Sequence, residues 1–141
     1  MRIDSLILRT AVRLVLPLTV LLAIYAALNG HNAPGGGFIA GLVTTVGLCT
    51  YRMAFGERAF HRLFPVRPRW LVVAGLGLTL VVAIIPLLAG EPLLRSASTV
   101  LRLGGQELHL VSATVFDLGV LVVVVGVAVG MITRLGEELG P

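Results

Sequence analysis

A carboxylate inside an apolar run is the first feature of this sequence that could do chemistry. Asp117 lies in the segment Phe116-Asp117-Leu118-Gly119, within the last long apolar stretch of the chain. An ionised carboxylate in the hydrocarbon core of a membrane costs roughly 2.5–3.5 kcal/mol on insertion scales, so such residues usually have a partner or a task. We expect Asp117 on the external half of its span, as a candidate for an ion pathway. A structural hydrogen bond to a neighbouring helix, or to Ser112 or Thr114, is the alternative.

The connection between the first two apolar runs is the second such feature. It reads Gly30-His31-Asn32-Ala33-Pro34-Gly35-Gly36-Gly37-Phe38. Its proline fixes φ and lacks an N–H, and its glycines permit backbone conformations closed to other residues, so we expect a tight structural turn. The turn residues are Pro34, Gly35, Gly36 and Gly37. A turn needs neither His31 nor Asn32, and both are therefore further candidates for an ion pathway.

No other pattern supports catalysis, a cofactor or a metal. Gly35–Ala40 fits the G-x-G-x-x-A dinucleotide fingerprint, but that fingerprint needs a preceding strand, and a membrane helix is expected there. His31, His61 and His109 are isolated and lack the spacing of zinc ligands. No Ser–His–Asp or Cys–His arrangement can be proposed from spacing. We therefore predict that the chain is not an enzyme and has no metal site or cofactor.

Composition places the elements around these residues in lipid. The 141 residues are 57% hydrophobic and only 13% charged, with a mean hydropathy of +1.00. A soluble domain carries roughly 25% charged residues, so this chain has too little charge to cover a globular surface. Its net charge of +4 comes from arginines that sit between apolar runs. A nucleic-acid partner would require a contiguous basic face, and none is expected.

Four apolar runs predict four transmembrane helices. They cover about residues 6–28, 37–55, 70–89 and 109–133. Each is close to the roughly 20 residues that a helix needs to cross a ~30 Å hydrocarbon core. Lipid offers no partner for backbone polar groups, so each run must satisfy its own hydrogen bonds as a helix. The predicted fold is an all-α integral membrane bundle, with residues 1–141 forming a single membrane domain.

The arginines predict the orientation of this bundle. Nine of the eleven fall on one side of the predicted membrane: Arg2, Arg9, Arg13, Arg52, Arg58, Arg62, Arg67, Arg69 and Arg134. Only Arg95 and Arg102 lie in the third connection, and the first connection has none. Because cytoplasmic loops carry the excess of Lys and Arg, we expect both termini in the cytoplasm and the chain in the cytoplasmic (inner) membrane.

Glycines at four-residue spacing predict close helix packing. The pairs are Gly37 with Gly41, and Gly126 with Gly130. Such spacing lets helix backbones approach each other in lipid. Chance is the alternative, because glycine makes up 17 of the 141 residues. We expect Gly41, Gly126 and Gly130 to be packing positions, with the neighbouring helix in this chain or in another.

The third connection, Gly90–Leu108, is long for a plain turn. It carries charged residues of both signs among leucines. We expect a loop that covers neighbouring subunits, and an interfacial amphipathic helix is the alternative.

Two segments of the chain resemble a known family. Gly30–Leu42 is similar to the signature of the MnhB/MrpB component of multisubunit Mrp-type Na+/H+ antiporters. Phe116–Val120, followed by Val122–Gly126, resembles the last-helix pattern of the same family. The four-span layout also matches, so the resemblance covers nearly the whole chain. The first motif is long and chemically unusual, which makes it specific.

The resemblance implies a small accessory subunit of a hetero-oligomeric complex that exchanges cytoplasmic Na+ for external H+. In that family the larger subunits are expected to carry the main proton channels, so this chain would support assembly and line part of an ion route. Its partners would be the other subunits and the lipid bilayer, with Na+ and H+ as the transported ions. A structural scaffold in a related membrane-bound hydrogenase or complex I-like respiratory complex is the alternative.

Overall fold

The computed structural model describes residues 6–29, 36–90, 98–103 and 106–139. Within them the chain forms five helices and a two-stranded sheet. In chain order these are α1 (Leu6–Asn29), α2 (Gly36–Phe55), α3 (Glu57–Leu63), α4 (Pro68–Leu88), β1 (Ser98–Leu103), β2 (Gln106–Val111) and α5 (Ser112–Leu139). Four helical stretches of this described part are long and apolar enough to cross a membrane. The predicted bundle of four transmembrane helices is confirmed.

The long helices lie side by side in the order α1, α2, α5, α4. Helices α2 and α5 run parallel to each other in the middle. The contact between Gly37 and Asp117, both near the start of their helices, shows this. Helices α1 and α4 run antiparallel to them on the outside. We call the end of the bundle with Gly37 and Asp117 the hairpin end. The opposite end, where α1 and α4 begin and α2 and α5 finish, is the arginine end.

Burial follows this order. In the most apolar 18-residue stretch of each span, 11% of the residues of α1 and 6% of those of α4 are buried. The corresponding shares are 33% for α2 and 22% for α5. The exposed residues of the outer helices include leucines, valines and Trp70. Such faces are stable next to acyl chains or another membrane helix, since water would leave a large apolar area hydrated.

Helices α4 and α5 approach each other through a pair of glycines. A Cβ on Gly75 would lie 2.8 Å from the carbonyl oxygen of Gly119, and a Cβ on Gly119 would lie 3.1 Å from the carbonyl oxygen of Gly75. Each glycine therefore admits the backbone of the other. Helices without a hydrophobic driving force between them associate through this kind of close backbone packing.

The short helix α3 closes the bundle at the arginine end. Gly56 has a φ of 83°, a left-handed conformation that glycine adopts readily, and it turns the chain from α2 into α3. Phe60 of α3 is 3% exposed and packs with Leu48 of α2 and with Val125 and Val129 of α5. Proline at the first position of α4 then starts the next span, where its missing N–H is not needed.

The third connection contains a β-hairpin where an interfacial helix was the alternative prediction. Strands β1 and β2 pair antiparallel, with Arg102 opposite Glu107 and Val100 opposite His109. The residues from Glu107 to Leu110 alternate polar and apolar, which favours a strand because side chains alternate faces there. The sequence also places Gly104-Gly105 between the strands, and two glycines are typical of a two-residue hairpin connection.

The last span begins later than predicted, because the hairpin occupies the residues before it. We expected the span to begin near His109, but His109 lies in β2 and α5 begins at Ser112. The predicted span ended near Thr133, whereas α5 continues to Leu139. With 28 residues, α5 is about 42 Å long at 1.5 Å per residue, longer than the hydrocarbon core. Part of it therefore projects beyond the acyl chains.

Candidate functional site

The structure brings together two features that the sequence keeps 80 residues apart. Gly37, in the first turn of α2, is buried against the backbone of Asp117 in α5. A Cβ on Gly37 would lie 2.7 Å from the carbonyl carbon and 2.9 Å from the Cα of Asp117, distances that real Cβ atoms do not adopt. The glycine-rich turn and the intramembrane carboxylate therefore meet at the hairpin end of the bundle.

This contact places Asp117 beside the start of a helix. The first four N–H groups of an α-helix have no partner within the helix, and they give its N-terminus a partial positive charge. Gly36 and Gly37 are the first two residues of α2. An anionic group close to the first turn of α2 is therefore favoured electrostatically over one at the middle of a span.

The carboxylate of Asp117 has no partner in the described part of the chain. Its residue is half-buried, and within residues 6–29, 36–90, 98–103 and 106–139 it forms no hydrogen bond and no ion pair. The hydroxyl groups of the spans behave differently. Thr44, Thr45 and Thr79 each donate to a carbonyl oxygen of their own helix at 2.8–3.1 Å. Asp117 thus differs from these threonines in forming no hydrogen bond to the residues that the structure describes.

The depth of Asp117 in its span differs from the sequence prediction. A span covering residues 109–133 would place Asp117 four residues, or about 6 Å, from the span centre. Because α5 begins at Ser112, Asp117 lies in its second turn, about 7.5 Å from the helix start. It is therefore nearer the hairpin end than the middle of the helix.

The sequence-predicted packing glycines lie at contacts within this chain. A Cβ on Gly41 would be 2.9 Å from Cβ of Val124, so the α2–α5 contact continues one turn beyond Gly37. A Cβ on Gly126 would be 2.9 Å from Cβ of Leu71 in α4. Gly130 faces Pro68, at 3.4 Å. The sequence left open whether the neighbours belonged to another polypeptide, and here they belong to α4 and α5 themselves.

The remaining residues of the glycine-rich connection are not described. His31, Asn32, Pro34 and Gly35 lie outside the described residues. Of the four predicted turn residues, Gly36 and Gly37 are described, and both are helical. No group of three His, Cys, Asp or Glu that could hold a metal ion occurs among the residues that the structure covers.

The arginine end contains two contacts that sequence reasoning missed. Nε of Arg9 in α1 donates to the carbonyl oxygen of Ala54 at 3.2 Å. This carbonyl is one of the last four of α2, which have no partner within the helix. The guanidinium of Arg13 lies 5.9 Å from the centroid of the Phe55 ring, in a cation–π arrangement. The two arginines thus bind the end of the neighbouring helix as well as marking a membrane boundary.

A second cluster surrounds Arg52 near the end of α2. Its side chain is 11% exposed, Nη2 lies 3.7 Å from Oε1 of Glu57, and the guanidinium lies 5.9 Å from the Phe60 ring centroid. The same carboxylate oxygen lies 3.6 Å from Nε2 of His61. The guanidinium also packs against Gly136 of α5. In the sequence Arg52 is one of nine arginines on one side, and no local signal distinguishes it from the others.

Comparison with known proteins finds similar antiporter subunits. A family model described as a domain related to the MnhB subunit of Na+/H+ antiporter matches residues 7–130. The B-type Na+/H+ antiporter subunit of Bacillus subtilis (strain 168) is 38% identical over 138 residues, covering 96% of this chain and 95% of that protein. The putative antiporter subunit mnhB2 of Staphylococcus aureus (strain Newman) is 34% identical over 137 residues, covering 96% of both.

A solved structure shares the fold. A chain in the structure of the Mrp complex from Dietzia sp. DQ12-45-1b superposes with a TM-score of 0.77 at 30% sequence identity. The match covers 100% of the present chain and 16% of the Dietzia chain. The fold described above therefore also occurs as one part of a much longer membrane polypeptide.

Proposed function

The chain belongs to the MnhB family of Na+/H+ antiporter subunits, and we propose that it serves as the MnhB component of a multisubunit Mrp-type complex that exchanges Na+ for H+. The observation that carries this proposal is the family match over residues 7–130, together with relatives that align over 96% of the chain. Membership supports a role as a component of a transporter. The other subunits of the complex are its partners.

An accessory role is supported by how the polar groups of the spans are used. A membrane ion route needs polar groups through the thickness of the bilayer, and these usually face a bundle interior or a water-filled cavity. In the described spans, hydroxyl groups such as those of Thr19, Thr50 and Thr133 donate to carbonyls of their own helices. This use of hydroxyl groups within single helices supports a contribution that is mainly to assembly.

Asp117 is the residue that we propose contributes to an ion route in the assembled complex. It is half-buried, has no partner in the described part of the chain, and lies beside the first turn of α2. His31 and Asn32 precede Gly36 by five and four residues, a tether of at most roughly 18 Å. These three residues would line the external side of the route together with groups of a partner subunit.

The proposed orientation places the arginine end in the cytoplasm. Arg9, Arg52 and Arg134 lie at this end, whereas the connection between α1 and α2 has no Lys or Arg. Positive charge near span ends is retained on the cytoplasmic side. We propose that residues 1–141 form one domain of the cytoplasmic membrane with both termini inside the cell.

The experiment that tests the function uses a tagged copy of the chain in a strain that lacks it. We expect the tagged chain to copurify with larger antiporter subunits in mild detergent, and to restore Na+-dependent proton movement in everted membrane vesicles. Normal exchange without the chain, or copurification with iron–sulfur proteins, would contradict the proposal. The second outcome would favour a scaffold in a hydrogenase-like complex.

The role of Asp117 is tested separately with Asp117→Asn and Asp117→Ala, with Thr114→Ala as a control one turn away. We expect Asp117→Asn to assemble but to lose Na+/H+ exchange, because the amide keeps the shape and removes the charge. Normal exchange in both Asp117 variants would exclude a role in the ion route. Normal exchange in Asp117→Asn with failed assembly in Asp117→Ala would instead indicate a structural hydrogen bond to a partner.

A further inference from the structure

A groove with a volume of about 970 Å³ opens between the start of α4 and the end of α5, at the arginine end of the bundle. Packing between the two helices is tight at Gly126, where an added Cβ would lie within 3.0 Å of three atoms of Leu71 and Val72. One turn further along α5, a Cβ added to Gly130 would meet only the Cβ of Pro68, at 3.4 Å, among the described residues of the neighbouring helices. The two helices thus pack less closely towards this end, where α4 begins at Pro68.

One wall of the groove is an apolar strip on α5. Val127, Met131 and Leu135 line the groove and are 41%, 62% and 56% exposed. Residues four apart on a helix lie on the same face, so the three side chains form a strip about 12 Å long, parallel to the helix axis. A membrane-spanning helix holds such a strip along the direction of the acyl chains.

The groove is basic beside the second half of the apolar strip, between Met131 and Leu135. Three exposed arginines line it: Arg67, Arg69 and Arg134. In the part of the chain that the structure describes, none of the three forms an ion pair with a carboxylate. Glu137 and Glu138 also line the groove, but the arginines outnumber them. The groove therefore presents unpaired guanidinium groups beside an exposed hydrocarbon surface.

We propose that this groove binds an anionic phospholipid, with an acyl chain along the strip and the phosphate at the arginines. Val127 and Met131 lie on the membrane-centre side of Arg134, which matches the order of acyl chain and then head group in one leaflet. Guanidinium groups bind phosphate oxygens through paired N–H donors. Basic pockets between transmembrane helices are a known form of anionic-lipid site. Trp70, whose ring lies 6.0 Å from the guanidinium carbon of Arg69, is a residue type enriched at the same interface.

The test uses the assembled complex in native membranes. A photoreactive benzophenone side chain is introduced in place of Met131, and the purified complex is analysed by mass spectrometry after irradiation. The control position is Val73, which is 60% exposed on α4 and does not line the groove. We expect phospholipid adducts at position 131, enriched in anionic lipid by roughly fivefold or more over position 73.

Paired variants identify the source of this enrichment. Arg67→Gln with Arg134→Gln should lower it to the level of position 73, whereas Arg67→Lys with Arg134→Lys should retain it, since lysine also binds phosphate as a point charge. Arg58→Gln with Arg62→Gln removes the same charge from a smaller groove beside Tyr51 and should leave the enrichment unchanged.

Two results would overturn the proposal. A protein adduct at position 131 in the assembled complex would mean that a partner helix fills the groove. Lipid adducts of the same composition at positions 131 and 73 would mean that the arginines select no head group. Adducts are counted only in the purified, assembled complex. A glutamine variant that fails to assemble therefore loses adducts at both positions. In that case the lysine pair shows whether positive charge is needed for the lipid enrichment.

Discussion

Gly37 of α2 lies directly against the backbone of Asp117 of α5, with no side chain between the two helices. The contact joins the glycine-rich turn to the carboxylate of the last span, and it makes α2 and α5 the parallel central pair of the bundle. Any side chain at position 37 must separate the helices where Asp117 is held. The position of the Asp117 carboxylate therefore depends on Gly37, in the neighbouring helix, having no side chain.

Gly37→Ala should destabilise the chain, because the added methyl group would overlap the backbone of Asp117, which cannot move as a side chain can. Overpacking of this kind typically costs about 1–3 kcal/mol. The control is Gly77→Ala in α4, since a Cβ at Gly77 has nothing within 4 Å. There the better helix propensity of alanine should leave stability equal or slightly higher. Thermal unfolding in mild detergent measures both, and equal behaviour of the two variants would contradict the contact.

Gly75→Ala should destabilise the chain more than Gly119→Ala. A Cβ on Gly75 would meet backbone atoms of Gly119 and Val123 at 2.8 and 2.9 Å, whereas the nearest backbone atoms to a Cβ on Gly119 lie at 3.1 and 3.2 Å. Both substitutions open the same contact, so the double variant should lose less stability than the sum of the single losses. A four-member thermodynamic cycle measures this coupling, and strict additivity would argue against a shared contact.

Glu57→Gln should destabilise the arginine end, because it removes the counter-charge of Arg52, whose side chain is only 11% exposed. The carboxylate is itself 48% exposed, so solvent screening keeps the expected loss to about 1 kcal/mol. The exposed Glu137, which forms no ion pair within the described residues, provides the control Glu137→Gln with no expected loss. Adding Arg52→Met to Glu57→Gln should recover part of the stability, and a further loss would show that Arg52 acts through other contacts.

Cysteine labelling should place the arginine end inside the cell. Cys49 is the single cysteine of the chain, so Cys49→Ser provides a background without thiols. In intact cells a membrane-impermeant maleimide should label Ser98→Cys in β1 and spare Arg62→Cys in α3 until the membrane is permeabilised. The reverse pattern would mean that the orientation inferred from the arginines is wrong. Labelling of denatured protein controls for thiols covered by partner subunits.

Several features of the fold could be predicted because they depend on local composition. Lipid forces each apolar run to satisfy its own backbone, so four runs of about 20 residues become four helices. The hairpin was missed although its signal is local. We predicted a loop that covers neighbouring subunits in the third connection, with an interfacial helix as the alternative. The polar–apolar alternation around His109 and the Gly104-Gly105 pair are instead typical of strands joined by a turn. Because the strand pattern there was not recognised, the predicted start of the last span was also too early.

The sequence by itself determined that the chain lies in a membrane, that it has four spans, and that Asp117 and the glycine-rich turn are unusual. Only the tertiary structure decided that Gly37 touches Asp117, that Arg9 binds Ala54, and that the helices lie in the order α1, α2, α5, α4. The reason is physical. Hydropathy records how strongly each segment prefers lipid to water, and all four segments prefer it on every face. Which faces meet is set by backbone approach at small residues, and that depends on two helices at once.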